Sequence, residues 1–400
     1  MQPPRVFLVL DNCFAIKRWV RPRDWMGVGR EIGFTYMEAS ADNEIDALYS
    51  DERYMAEWAE EAKAAQSETG VRLANFYSGY QTYRTVGLAH HDAGMRKRLV
   101  DKWLKRMVDL ADDLEAGLGF HIFAYTDEVL QDPKKHADVT DLIIDQLQEV
   151  AEYARDRVQV SIEQMYSPHQ PPWTIAGTID FLERVYRPSG APVYTTIDFG
   201  HQIAQARYRR PAQGDVATAI ARAEAGKSTA DMWMGPEKAY ALLDRIAGQE
   251  LSDADRRSLA REIEEAAAAF PYLFAEERDG DLYAWIEEVG RYSPIMHLQQ
   301  TDGVHSGHRA FTPETNKDGI VRPDEVLSAL ARSFAQPAEE GMPPPVEDIY
   351  LTFEVFAGTA ETNRQVIEKL TQSYEYWREY VPEDGMLLSE LVATPGDRAT

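Results

Sequence analysis

The chain is poor in the features that mark several protein classes. Its 400 residues include one cysteine, Cys13. No disulfide can form within the chain, as expected of a protein that works in a reducing compartment. Cys13 follows the first strand-like run and reads as a small buried residue, not a nucleophile. No stretch approaches the roughly 18 consecutive apolar residues of a membrane span. The N-terminal run VFLVL ends at Asp11 and is too short for the apolar core of a signal sequence. A soluble cytoplasmic protein is the expectation. Cationic side chains are scarce: 42 Lys and Arg stand against 67 Asp and Glu, a net charge of −25. Such a surface repels a phosphate backbone and argues against nucleic acid as a partner. A single phosphorylated sugar would need only a local basic pocket. Finally, the Gly-rich phosphate turn of a dinucleotide-binding sheet is missing: DNCFAIKRW follows the first strand instead.

What is present is an alternation of short apolar runs and amphipathic stretches. Strands are expected at 5–12, 33–40, 71–77, 119–125, 158–163, 192–199, 295–302 and 349–356. The first, RVFLVLDN, is a continuous apolar run, as in a strand covered on both faces. Helices are expected at 50–66, 91–115, 139–154, 175–186, 324–334 and 360–380. In the second of these, Leu99, Trp103, Met107 and Leu110 recur three or four apart on one face. Alternating β and α elements indicate parallel crossovers, and eight of them indicate a closed (β/α)8 TIM barrel over residues 1–400. The rhythm breaks once. Residues 202–292 are far more than a crossover needs, and their Ala- and Glu-rich runs predict a helical insertion between strands 6 and 7. Its DMWMG segment, with Met232, Trp233 and Met234, is expected to cover something apolar.

Four strands end in acidic or metal-seeking side chains. VQVSIEQMY carries Glu163, VYTTIDFGH carries Asp198 and His201, IMHLQQTD carries His297, Gln299 and Asp302, and YLTFEVF carries Glu354. Barrel active sites lie where strands end, and consecutive strands are neighbours, so these groups are expected to converge. Taken singly, a glutamate at a strand end is an ordinary loop carboxylate. Glu163 and Glu354, however, sit inside apolar runs, where an unpaired charge costs several kcal/mol. Three carboxylates cannot crowd together ionised unless a cation neutralises them, and oxygen ligands favour a hard divalent ion such as Mn²⁺, Mg²⁺ or Co²⁺.

Here the sequence resembles the xylose-isomerase-like sugar isomerases and epimerases, which include the ketose 3-epimerases. The resemblance lies in the barrel strands, most clearly within 158–201 and 295–356. It implies one divalent ion on Glu163, Asp198 of a D-x-x-H pattern, a strand-7 residue and Glu354. It further implies proton transfer next to a ketose carbonyl by Glu163 and Glu354, through an enediolate. Strand 7 departs from the family's H-x-H: His297 is followed by Gln299 at the ligand position, and His305 or His308 in the following loop is the alternative approach to the site. His201, His297, His305, His121 and Arg18 are the expected substrate contacts. His121 and Glu38 face either the mouth or the core. The implied partners are a free or phosphorylated ketose and further copies of the chain.

Other readings use the same residues. A lyase or dehydratase, including one that cleaves carbon glycosides, would use the same enolate chemistry. An abasic-site endonuclease would need a basic groove and more histidines than nine. A non-catalytic sugar-binding subunit would use the acidic cluster only for structure and the insertion as a partner surface.

Overall fold

The computed structural model describes residues 3–43, 45–79, 85–122 and 124–393. Eight parallel strands close on themselves: β1 (Arg5–Asp11), β2 (Tyr36–Ser40), β3 (Arg72–Ser78), β4 (Gly117–Phe120), β5 (Val160–Glu163), β6 (Tyr194–Asp198), β7 (Ile295–Leu298) and β8 (Asp348–Phe353). Each pairs with its neighbours in sequence, and β1 pairs with both β8 and β2, which completes the barrel. The expected (β/α)8 barrel is the observed fold.

Helices cover the outside. They are α1 (Pro22–Ile32), α2 (Glu52–Thr69), α3 (Ala93–Leu99), α4 (Lys105–Asp113), α5 (Asp127–Leu130), α6 (Pro133–Ala154) and α7 (Ile175–Ser189). The segment after β6 carries α8 (Gln202–Gln205), α9 (Gln213–Glu224), α10 (Glu237–Asp244), α11 (Asp253–Ala268) and α12 (Leu282–Val289); α13 (Pro323–Ala335) and α14 (Asn363–Arg378) follow β7 and β8. Their ends follow the sequence. α2 starts where the Asp51 carboxylate accepts the Tyr54 N–H at 2.7 Å, and it stops at Gly70, whose φ of 75° suits a residue without Cβ. Among the described residues, no helix is long and apolar enough to cross a membrane.

Side-chain alternation sorts each strand into two faces. Val6, Leu8 and Leu10 of β1 point outward into the main helix-covered core. Phe7 and Val9 point inward, where Phe7 meets Tyr36 and Tyr350 with ring centroids 5.1 and 5.0 Å apart. These rings plug the N-terminal end of the barrel. Towards the C-terminal end the interior turns polar: Ser161 and Thr196 share a hydrogen bond of 2.8 Å, and the acidic side chains lie beyond them.

Between β6 and β7, helices α9, α10 and α11 enclose a small core of their own, with Val216, Ile220, Leu243, Leu259 and Ile263. Trp233 donates to the Leu273 carbonyl at 3.0 Å and packs edge-on against Tyr208. The segment reaches back to the barrel through Tyr272, whose ring stacks on His136 of α6 at 3.7 Å.

Several local expectations shift. β4 runs from 117 to 120, not from 119 to 125, because after Phe120 the chain leaves the ladder; Phe123 lies outside the described residues. β7 stops at Leu298, so Gln299 belongs to the loop. The long helix expected at 91–115 is broken by a π-helical turn at Val100–Leu104. The loop expected after β3 includes 80–84, also outside the described residues. A two-residue strand, β9 (Met386–Leu387), pairs antiparallel with the start of β1, and α15 (Leu388–Leu391) follows it. Two residues are too few to show a period.

Burial against the Tyr125 and Tyr272 rings pushes the His136 imidazole down to about 4. The neutral form is therefore favoured by folding, and the stabilisation is complete above the unfolded value near 6.5 and is lost as pH falls towards 4. At pH 5 the wild type should lose about 2 kcal/mol more stability, relative to pH 7.5, than His136→Phe does. Urea unfolding at the two pH values checks this; equal losses would refute it.

Candidate active site

Parallel register brings the polar side chains together at the C-terminal end of the barrel. Asp11 of β1 lies opposite Glu38 of β2, and Asp198 of β6 lies opposite His297 of β7. A register shift between β2 and β3 puts Asn75 opposite Glu38, and Asn75 Nδ2 donates to Glu38 Oε2 at 2.6 Å. The extra residue of such a bulge re-aims a side chain beside a functional site. Glu163 is the last residue of β5, and Glu354 follows β8 directly. Asp11, Glu38, Glu163, Asp198 and Glu354 are all at most 8% exposed.

His297 is the hub. Its Nε2 lies 3.0 Å from Glu38 Oε1, and its Nδ1 lies 3.0 Å from Glu163 Oε1 and 3.5 Å from Glu354 Oε2. Glu163 also accepts the Tyr77 hydroxyl, which lies 3.1 Å from His121 Nδ1. Asp198 Oδ1 accepts the Gly200 N–H at 2.6 Å, and Gln299 Nε2 donates to both Asp198 oxygens, at 2.8 and 3.1 Å. The D-F-G-H turn needs its glycine. A Cβ on Gly200 would lie 2.6 Å from the Gln299 amide.

The electrostatics follow from burial and from this pairing. Burial, and then the neighbouring Glu38 carboxylate, push Asp11 well above the usual range, so Asp11 keeps its proton and shares it with Glu38. Burial pushes Glu38 up as well, but His297 and the hydrogen bonds from His297, Asp11 and Asn75 outweigh it and hold Glu38 low. Burial opposes charge on His297, and the Glu38 and Glu354 carboxylates more than offset this, so the ring stays protonated well above its ordinary value. Burial likewise opposes charge on Asp198, and His201 and His308 outweigh it, bringing Asp198 to about 2. Glu354 is raised, chiefly by burial. His308 rises to about 9: burial pushes it down, and Glu354 more than restores it. Burial lowers His121 to about 4.

The expected site residues divide into those that meet and those that do not. Glu163, Asp198, Glu354, His297, His201, Gln299 and His121 share the mouth. His201 donates from Nδ1 to the Gln164 carbonyl at 2.6 Å, turns Nε2 towards Asp198 at 3.7 Å and packs its ring against Tyr166. His305 is not brought in: it is 73% exposed and pairs with Asp302. Its place is taken by His308, whose Nδ1 lies 3.2 Å from Glu354 Oε2. Arg18 donates to the Gly358 and Glu361 carbonyls at 2.8 and 2.9 Å, which ties the loop after β1 to the loop after β8. Of the two side chains left open, both His121 and Glu38 are in the mouth. Asp11 carries little sequence signal because it ends an apolar run, and of the two loop histidines left as alternatives the structure brings in His308. Asp11 could have been found from its register, one strand from Glu38.

The donor set can be tested against a hard cation. Ligand atoms of Glu163, Asp198 and His201 lie within 4.8 Å of one another, as do those of Asp198, His297 and Glu354. Glu354 Oε2 is buried and makes no aligned hydrogen bond, with His308 Nδ1 at 3.2 Å and His297 Nδ1 at 3.5 Å. These carboxylates fit a hard divalent ion. Gln299 fits less directly, since its amide nitrogen faces Asp198 while its oxygen accepts the His308 N–H at 2.8 Å.

A family model, xylose isomerase-like TIM barrel, matches residues 28–270. A curated D-erythrulose 1-phosphate 3-epimerase from Brucella abortus is 26% identical over 322 residues, covering 79% of this chain and 78% of that protein. A solved structure from Rhodospirillum rubrum, described as a candidate xylose isomerase, superposes with a TM-score of 0.64 at 16% identity, covering 94% of this chain and 99% of that one. The D-allulose 3-epimerase from a Methylomonas species superposes with a TM-score of 0.51 at 13% identity, over 94% and 99% of the two chains.

A cation that binds only the folded site stabilises it by mass action, by about 2.7 kcal/mol at 100 times its dissociation constant. Saturating Mn²⁺ should therefore raise the melting temperature of the chelator-treated wild type by a few degrees, and that of Asp198→Asn much less. Differential scanning calorimetry checks this; an equal response of both proteins would count against a cation at Asp198.

Proposed function

Since the chain belongs to the xylose isomerase-like TIM-barrel family, we propose that it is a sugar epimerase or isomerase that moves a proton at the carbon beside a ketose carbonyl. The observation that carries this reading is the placement of two buried carboxylates, Glu163 and Glu354, at the ends of β5 and β8. Two strands separate β5 from β8 in the barrel, and both carboxylates meet the His297 ring. A ketose with its carbonyl between them would present its α carbon to one carboxylate on each face.

In the proposed reaction one carboxylate removes the proton from the α carbon, and the electron pair left behind forms the enediolate. The other carboxylate, protonated, returns a proton to the same carbon from the opposite face, and the configuration inverts. Burial favours the protonated form of Glu354, which suits it to donate, while Glu163 is held ionised and suits the base. For Glu163, burial works against ionisation and His201 and His297 outweigh it. In the reverse direction the roles exchange.

Glu163, Asp198 and Glu354, with Gln299 beside Asp198, would hold one divalent cation. When bound, such an ion polarises the carbonyl and stabilises negative charge on the neighbouring oxygens. His201, with Nδ1 fixed by the Gln164 carbonyl, has Nε2 available to orient a substrate oxygen. Tyr77 and His121 close the β3–β4 side of the mouth. The curated relative from Brucella abortus acts on a ketose phosphate, and D-erythrulose 1-phosphate is accordingly the first substrate to try.

The test is incubation with D-erythrulose 1-phosphate and a panel of free ketoses in D₂O, with metal analysis of the same protein. The wild type should carry one Mn²⁺, Mg²⁺ or Co²⁺ per chain and place solvent deuterium on a single carbon. Glu354→Gln should slow epimerisation by about 10²–10⁴-fold, the usual worth of a positioned acid or base. Epimerisation that survives in Glu354→Gln would refute the two-carboxylate mechanism. Loss of water or an aglycone in place of exchange would move the assignment to a lyase.

A further inference from the structure

Glu38 is a buried carboxylate that the proposed proton transfer does not use. It comes from β2, whereas the ring it meets comes from β7, and β8 and β1 lie between them in the barrel. The contact therefore spans the barrel interior. Every group in it is enclosed: Glu38 and His297 are fully buried, and Asn75 and Asp11 are 1% exposed.

The geometry leaves His297 little freedom. An imidazole held at one nitrogen can swing about its ring torsion. This ring is held at both, by Glu38 Oε1 at 3.0 Å on Nε2 and by Glu163 Oε1 at 3.0 Å on Nδ1. Its face is also closed by Tyr77, edge-on with centroids 5.0 Å apart. Glu38 is itself fixed, since Asn75 Nδ2 donates to Oε2 at 2.6 Å and leaves Oε1 for the ring. Asn75 reaches that position through the register shift between β2 and β3. The result is a rigid line from β3 through β2 to the hub of the site. At the far end of that line, Nδ1 contacts both Glu163 and Glu354.

We propose that Glu38 is a positioning residue of the proton-transfer site: by accepting from His297 Nε2 it sets the ring so that Nδ1 holds Glu163 and Glu354 in register with each other. This rests on the function proposed above, in which those two carboxylates act on opposite faces of one carbon. The role asked of Glu38 is that of a fixed acceptor on Nε2; an amide oxygen keeps that acceptor but gives up the charge opposite His297 and turns an NH2 towards Asn75 Nδ2, so it should serve in part.

The test compares wild type, Glu38→Gln and Glu38→Leu as full-length, Mn²⁺-loaded proteins. Glu38→Leu should lower kcat about 10–100-fold, the usual worth of an outer partner of a functional histidine, while KM and the Mn²⁺ dissociation constant move less than about threefold; Glu38→Gln should recover part of the loss. Crystal structures of the variants supply the second readout. The His297 ring should leave Glu163 in Glu38→Leu and keep its place in Glu38→Gln. Should Glu38→Leu fail to fold, Glu38→Ala carries the same comparison. Wild-type kcat in Glu38→Leu, or equal damage in the Gln and Leu variants, would overturn the proposal. A His297 ring that stays on Glu163 in Glu38→Leu would overturn it too, whatever the kinetics. If the wild type itself exchanges no deuterium into any ketose, the functional reading fails by that result, and the ring position alone then decides whether Glu38 sets His297.

Discussion

Five carboxyl groups meet at one end of a barrel from which water is largely excluded, and the rest of the site is arranged around their charge. Placing an unpaired carboxylate in such a space costs several kcal/mol. The protein meets this cost in two layers. In the deeper one, Asp11 keeps its proton, Glu38 is ionised, and the charge of Glu38 is matched by His297 and satisfied by Asn75. In the outer one, Glu163, Asp198 and Glu354 face His201 and His308, with Tyr77, Gly200 N–H and Gln299 supplying hydrogen bonds. His297 belongs to both layers, one nitrogen in each.

The backbone features near the mouth follow from the same constraint. The shift between β2 and β3 brings an amide donor to Glu38 where regular pairing would bring Ala74. The glycine of the D-F-G-H turn lets Gln299 approach Asp198. Arg18, the nearest cation considered from the sequence, spends its donors on the Gly358 and Glu361 carbonyls and not on the cluster. Loop closure around the mouth is thus achieved with backbone acceptors, and the acidic cluster keeps its charge for other partners.

The barrel was legible because its strands are apolar on both faces and its helices are periodic, and those two patterns alternate eight times. The convergence of Glu163, Asp198 and Glu354 was legible for a related reason: a carboxylate that interrupts a buried strand needs a partner or a cation. The period of two placed His297 and Gln299 both inward. It could not say which one sits at the centre, because that depends on how far β7 is staggered against β6 and β8. Asp11 was hidden because it ends an apolar run and reads as the start of a loop. His308 could not be told from His305, three residues earlier, because loops have no period and the two offer the same chemistry. Glu38 stayed ambiguous because its partners come from other strands, and pairing across the barrel leaves no mark in the local sequence.

The two layers also distinguish the roles of the carboxylates. A deep carboxylate that shares a proton with its neighbour and is capped by an amide has no lone pair aimed at the mouth, so it can orient other groups but cannot reach a substrate carbon. An outer carboxylate such as Glu354, with one buried oxygen making no aligned hydrogen bond, is underused by the protein alone. Imidazoles supply part of the positive charge the outer layer needs, His308 facing Glu354 at 3.2 Å and His297 shared with Glu38. The outer layer therefore keeps an excess of acceptors over donors. An arrangement of this kind is satisfied when a cation and the oxygens of a polyhydroxy ketone enter together, which is the situation that the proposed proton transfer requires.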